Sequence, residues 1–198
     1  FRTAAAAATC QFQLARVFAE LAVPDVIDAQ SEDPRLTSPA ARRLARRFMA
    51  SYLAGAILLP YSRILEDAER HGYDIDFLGQ AYTASFEQIA HRLVTLQRPG
   101  EQGIPFGFLR SDPAGRLTKH YPLPGLPLPK IGHACPLWAI YAAFRHTDQV
   151  VRQLAVFPDG SRYLFVAKAV SKRLALRHAR ARETRGVVRQ LSGRNSAS

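Results

Sequence analysis

The chain has 198 residues, 47% of them apolar, and a formal net charge of +11. Such a length gives roughly one to two domains and enough buried surface for a real core, which excludes a wholly disordered chain and a disulfide-stapled miniprotein. Cys10 and Cys135 are the only cysteines and form no CxxC, so a zinc ribbon or a self-contained iron–sulfur site lacks ligands. This cysteine usage fits a reducing cytoplasm. The Ala run Ala4–Ala8 lacks the parts of a signal peptide. The longest uncharged apolar stretch, Tyr52–Tyr61, is shorter than the about 20 residues that span a bilayer. A cytoplasmic protein without a membrane partner is expected, and Phe1 at the start reads as a fragment of something longer. The charge is uneven: residues 171–198 hold eight Lys and Arg against Glu183, so the basicity belongs mainly to a tail.

In chain order, Gln11 to about Ala29 reads as a helix with Leu14, Val17, Phe18 and Leu21 on one face and Pro24 inside it. Ser38-Pro39 gives an N-cap and a first-turn proline for a helix to about Leu59. Leu44, Phe48 and Tyr52 step by four along its expected buried face, with Arg42, Arg43, Arg46 and Arg47 on the other side. Pro60 breaks that helix, Tyr61–His71 continues, and Gly72 ends it. Asp74–Ala81 is a short helix, and Ser85-Phe86-Glu87-Gln88 has the capping-box form that opens another. This pair looks like a helix-turn-helix, although Gly79 and Thr83 stand where that motif usually has Ala and Gly. Beyond Arg98-Pro99-Gly100 the pattern becomes strands, over 104–110 and 115–121. Pro122–Pro129 is a rigid loop, Pro136–Phe144 a short helix, and 149–157 with 161–170 a hairpin about Pro158-Asp159-Gly160. The expected organisation is α+β: a helical half over 10–98, a small antiparallel sheet half over 104–170, and a basic tail, 171–198, that is frayed helix or disordered.

Catalytic signatures are thin. No two of the six His stand at i, i+4, so the HExxH zinc site is excluded. His133 lies two residues before Cys135, but Pro136 and Trp138 suggest a packed strand-to-helix junction, which favours a structural cysteine. The second helix of the hairpin offers Gln88, His91 and Arg92 to DNA, but also Glu87, which repels phosphate; a hairpin that only packs is the alternative. The arginines at 42, 43, 46 and 47 are a solvated face or an anion site. Around the first strand pair, Phe106 and Phe108 alternate, Arg110 closes the strand, and Arg116 and Lys119 lie on its partner. Aromatics beside fixed cations suit a ligand with a ring and several phosphates; plain sheet packing is the alternative.

Several segments taken together, Arg46–Tyr61, His91–Gly100, Gly103-Ile104-Pro105-Phe106, Ala134-Cys135-Pro136-Leu137-Trp138 and Pro158-Asp159-Gly160 with Tyr163-Leu164, carry a resemblance. Over about 11–170 the chain resembles the short-chain fatty-acyl-CoA-responsive transcriptional regulators, including regulators of propionate catabolism. Its helical half is similar to the ImmA/IrrE peptidase fold without the zinc motif. The resemblance implies a non-enzymatic central region that binds CoA or a short-chain acyl-CoA and assembles into homo-oligomers. It places DNA binding on a separate N-terminal domain and a [4Fe-4S] cluster on a C-terminal cysteine segment. Here no Cys follows Cys135, so no cofactor is expected in this chain, and the Arg-rich stretch after Val170 looks foreign to the pattern. Within the matched segments the expected ligand residues are Arg110, Arg116 and Lys119 for the phosphates, Arg92 and Arg98 as further cations, and Tyr61 and Phe106 for the adenine or pantetheine arm. Two other readings stay open: a DNA-binding module using 74–97 and the basic tail, and a degenerate ImmA/IrrE-type metallopeptidase.

Overall fold

Pro24 divides the first expected helix in two, because it supplies no N–H to the preceding turn. In a computed structural model of the chain, α1 is Ala7–Ala22 and α2 is Pro24–Ser31. The structure describes residues 7–114, 116–121, 123, 125–126, 139–146, 149–173 and 180–191. Two compact units result, Phe1–Arg92 and Leu93–Ser198.

In the helical unit, α3 is Pro39–Leu58, and Ser38 Oγ accepts the Ala41 N–H at 3.1 Å as its N-cap. Pro60 ends it, and α4, Tyr61–Arg70, leaves at 62°. Gly72 and Tyr73 both take the left-handed backbone, at φ +59° and +60°, which turns the chain sharply after α4. Asp74 then caps α5, Ile75–Ala81, its Oδ1 accepting the Phe77 N–H at 2.9 Å. The expected capping box forms at α6, Phe86–Val94: Ser85 N–H donates to Gln88 Oε1 at 2.6 Å and Gln88 N–H to Ser85 Oγ at 3.3 Å. Among the described residues no single helix is long and apolar enough to cross a membrane.

The core of this unit overturns one expectation. Leu14, Val17, Phe18 and Leu21 on α1, and Leu44, Phe48 and Tyr52 on α3, are all at least 42% exposed. The buried positions are Ala15 and Ala19 on α1 and Ala50 and Ala54 on α3. Small side chains let these two packed helices approach closely, and the larger ones are left outside. Bulk is buried elsewhere, at Ile27, Leu59, Ile64, Leu78 and Ile89.

In the second unit a minimal hairpin, β1 (Gln97–Arg98) and β2 (Glu101–Gln102), turns at Gly100 with φ +81°. A five-stranded antiparallel sheet follows: β3 (Phe106–Ser111), β4 (Leu117–Tyr121), β5 (Val150–Val156), β6 (Arg162–Arg173) and β7 (Arg180–Leu191), in the order β4-β3-β7-β6-β5. One helix, α7 (Ala139–Arg145), packs against β5, β6 and β7. Its N-terminal Ala139 N–H is held by Gln153 Oε1 at 2.7 Å. Leu109, Leu123, Tyr163, Phe165, Ala167 and Ala169 join Ala139, Ile140 and Ala143 in one core. Tyr163 closes it by donating its hydroxyl to the Gly125 carbonyl at 2.9 Å. Gly107 must lack a side chain, since a Cβ there would stand 2.9 Å from the Leu123 Cβ.

The tail is the second correction. Residues 180–191, expected as frayed helix or disorder, form β7 between β3 and β6. All twelve of its residues have register partners on β6 and six on β3, so ladder hydrogen bonding on both edges defines a strand that apolar content does not announce. Cys135, Trp138 and the rest of 127–138 lie outside the described residues.

A cationic row on the open face of the sheet

Alternation divides the sheet into two faces. Leu109, Val151, Ala155, Tyr163, Phe165, Ala167 and Ala169 belong to the core with α7. The residues between them, Phe106, Phe108 and Arg110 on β3, Leu164, Val166 and Lys168 on β6, and Val150, Arg152, Leu154 and Val156 on β5, therefore share the opposite face. Residues directly opposed in antiparallel strands lie on the same face, which brings Lys119 and Tyr121 of β4 there too.

The register aligns four cationic positions across this face. Lys119 pairs with Arg110, Arg110 with Arg185, and Arg185 with Lys168. Three inter-strand steps of about 4.8 Å make a row of about 14 Å. Val150 of β5 completes it, and no acidic residue occupies it. A bulge after Arg110 leaves Thr118 as an extra residue beside it. Arg110 Nε donates to Thr118 Oγ1 at 3.0 Å, and that hydroxyl donates to the Arg110 carbonyl at 3.3 Å, so the guanidinium is oriented by its own strand pair. Lys119 Nζ lies 5.6 Å from the centre of the Tyr121 ring, within cation–π range. Such a row concentrates positive potential where a ligand with several phosphates can bridge neighbouring strands.

The expected site residues distribute unevenly. Arg110 and Lys119 are brought together as a register pair, and Phe106 lies on the same face but is buried, at 5% exposure. Arg116 is exposed in the turn before β4, where its N–H donates to Asp112 Oδ1 at 2.9 Å. Arg98, on β1, pairs with Glu101 at 2.9 Å. Arg92 and Tyr61 meet in the helical unit, the guanidinium carbon 5.6 Å from the ring centre. Arg92 is also buried, and its Nε donates to the Leu59 carbonyl at 2.8 Å, where α3 ends and Pro60 offers no N–H. Lys168 and Arg185 were not among the expected residues. Strand alternation could have flagged Lys168; Arg185 depends on a strand that the sequence conceals.

The hairpin of α5 and α6 is built to pack. Gln88, expected outward, donates from Nε2 to the Ala8 carbonyl at 3.2 Å. His91 Nε2 is 3.6 Å from Glu87 Oε1, and Arg92 is buried. In the turn between the helices Tyr82 donates its hydroxyl to Asp67 Oδ2 at 2.6 Å; burial and this carboxylate push the phenol up to about 12. The three groups expected to reach DNA are thus turned to internal contacts.

Metal chemistry fits the donor set poorly. The IrrE-like helices carry no i, i+4 His pair, and two cysteines fall short of the four thiolates of a [4Fe-4S] cluster.

Residues 6–94 match the family described as IrrE N-terminal-like domain, and residues 95–188 match the short-chain fatty acyl coenzyme A regulator, C-terminal. The chain belongs to the short-chain fatty acyl coenzyme A regulators. It is 44% identical over 168 residues to the propionyl-CoA carboxylase regulator of Cereibacter sphaeroides, covering 85% of this chain and 36% of that protein. It is 42% identical over 164 residues to the HTH-type transcriptional regulator RamB of Mycobacterium tuberculosis, covering 83% and 35%. A solved structure titled Mycobacterium tuberculosis transcriptional regulator aligns with a TM-score of 0.87 at 36% identity, over 95% of this chain and 57% of that one. These relatives are named as transcriptional regulators, not as enzymes. The chain spans about a third of the length of the curated relatives it matches. The family match runs through most of β7, so residues 171–188 are part of the regulator pattern and not foreign to it.

Proposed function

We propose that this chain is the ligand-sensing region of a transcriptional regulator of short-chain fatty-acid or propionate metabolism, and that it binds CoA or a short-chain acyl-CoA. The observation that carries the reading is the row Lys119, Arg110, Arg185 and Lys168, lying wholly inside the segment matched to short-chain fatty acyl coenzyme A regulators. CoA carries phosphates at one end, and cationic positions aligned by register on neighbouring strands suit charge-assisted bonds to them. DNA binding belongs, in this reading, to parts of the longer regulator outside this chain. Binding to DNA is then coupled to acyl-CoA by a differential affinity of two states for the ligand.

Calorimetric titration of residues 1–198 with CoA and propionyl-CoA, beside a thermal melt, tests the reading. Saturable binding with a raised melting temperature is expected. Arg110→Ala and Lys168→Ala should each weaken CoA binding about tenfold, the scale of one lost charged hydrogen bond. Unchanged affinity in both variants of a folded protein refutes the row as the phosphate site.

A further inference from the structure

Among the described residues, β4 and β5 are the two outer strands of the sheet, and they are finished differently. β4 is short, carries Lys119 and His120, and is offset by the bulge after Arg110. Short length, charge and bulges all keep a strand edge from pairing. β5 has none of these protections except one charge, Arg152: its seven residues include no proline and oppose β6 in a single unbroken register. Leu154 and Val156 are 58% and 64% exposed along it. The direction of its backbone groups follows from the turn. Phe157 N–H donates to the Ser161 carbonyl at 2.9 Å, so 157 and 161 are a hydrogen-bonded pair that continues the register of 156 with 162. Such pairs alternate with non-bonded ones along an antiparallel ladder. Positions 151, 153 and 155 therefore bond β6, while Val150, Arg152, Leu154 and Val156 turn their N–H and C=O groups to the open side of the sheet. A long edge with its polar backbone groups turned outward and exposed aliphatic side chains is a template for another strand.

We propose that the edge of β5 pairs antiparallel with β5 of a second copy of this chain, with Val150 opposite the partner's Val156 and Arg152 opposite the partner's Leu154. The argument is that this strand is complementary to itself in one register. A two-fold axis through Gln153 brings all the outward residues of both copies into hydrogen-bonded pairs, about eight bonds in all. Sliding the copies by two residues either way leaves one outward residue of each without a mate. One of those slides also sets Arg152 against the partner's Arg152, a like-charge pair that destabilises. In the proposed register no like charges are opposed. Val156 is covered by the partner's Val150, and Leu154 by the aliphatic stem of the partner's Arg152, whose guanidinium stays in water. The two sheets become one continuous sheet with both copies of α7 on the same side. Edge-to-edge pairing alone belongs to the small interfaces, below about 1,200 Å² in total, so a reversible dimer in the micromolar range is the expected form.

The test is sedimentation equilibrium of residues 1–198 from about 1 to 200 µM, a range that spans micromolar association, for the wild type, Leu154→Lys and Leu154→Glu. Position 154 is exposed, so both variants should fold, and a melt of each confirms it. Because residue 154 stands opposite the partner's Arg152 twice in the dimer, the two substitutions should act in opposite senses. Lys places like charges across the strands and should weaken association at least tenfold; Glu gains two cross-strand ion pairs and should stay within about threefold of the wild type. Amide exchange supplies a second readout: the N–H groups of 150, 152, 154 and 156 should gain protection as concentration rises, while those of 151, 153 and 155 are protected throughout. A wild type that is monomeric at 200 µM overturns the proposal. Equal weakening by Lys and Glu overturns it too, since a mere apolar contact loses as much to either. A dimer indifferent to both, but dissociated by Phe18→Ser, lies on the exposed stripe of α1 instead and is the third refuting result. None of these outcomes depends on whether the chain binds CoA.

Discussion

Replacing Arg92 by methionine separates a structural role from a ligand role at a residue where sequence reasoning expected the second. Methionine keeps most of the aliphatic stem, so cavity formation contributes little. What disappears is the 2.8 Å bond from Nε to the Leu59 carbonyl and the cation over the Tyr61 ring. That carbonyl belongs to a residue 1% exposed at the end of α3, and water does not replace its lost partner. An unsatisfied buried carbonyl costs about 1–3 kcal/mol, and a desolvated cation–π contact about 1–2 kcal/mol. Relief of the buried guanidinium offsets part of this. The net expectation is about 2–3 kcal/mol, a large fraction of the stability of a small domain. Urea unfolding followed by far-ultraviolet circular dichroism should show a lower midpoint at unchanged slope. CoA affinity of the variant, measured where it remains folded, should be unaltered. An unchanged midpoint together with lost CoA binding would refute the reasoning and return Arg92 to the ligand site.

Three further outcomes follow from the same structure. Tyr82→Phe should cost about 1 kcal/mol through the lost bond to Asp67. It should also remove an alkaline transition: the folded phenol, at about 12, exceeds its ordinary value near 10, so its stabilisation is complete below pH 10 and lost between pH 10 and 12. A melt series from pH 8 to 12 reads both, and an identical alkaline limb in the variant would sink the assignment. Gly107→Ala forces a Cβ to 2.9 Å from Leu123 and 3.2 Å from the Tyr121 carbonyl, so denaturant unfolding should show a loss of about 1–3 kcal/mol. Deleting residues 171–198 should abolish the cooperative unfolding of the sheet unit, because it takes out β7 and exposes new edges on β3 and β6. Retention of native amide-exchange protection in 106–111 after that deletion would contradict the strand order.

Much of the helical unit was legible because its signals are local. Ser38-Pro39, Asp74, Ser85 with Gln88, and Pro60 fix helix ends within a few residues of themselves, and each acts in the structure as its type suggests. The hairpins about Asp112 and Asp159 were legible for the same reason. Which helix face is buried was not. The stripes at Leu14, Phe18 and Leu21 and at Leu44, Phe48 and Tyr52 have the spacing of a core, yet the packing is carried by Ala15, Ala19, Ala50 and Ala54. Periodicity reports that a helix has an apolar side; it does not say which neighbour will be close enough to exclude water.

The candidate site failed to show itself for a related reason. Arg110 and Lys119 could be paired from one hairpin, since a single turn sets their register. Lys168 belongs to a second hairpin, and nothing local says that the two hairpins share a sheet. The link is β7, a strand with four arginines that composition alone assigns to a solvated tail. Once β7 enters between β3 and β6, Arg110 and Lys168 come within two strand spacings on one face, with Arg185 at the position between them. The basic stretch that looked like a non-specific appendage is then a central strand of the sheet, and position 185 joins the proposed row. Binding to polyanions in general should consequently be weak after loss of the row, and deletion of the tail cannot serve as a test of tail-mediated DNA binding, because it removes the sheet that any ligand would need.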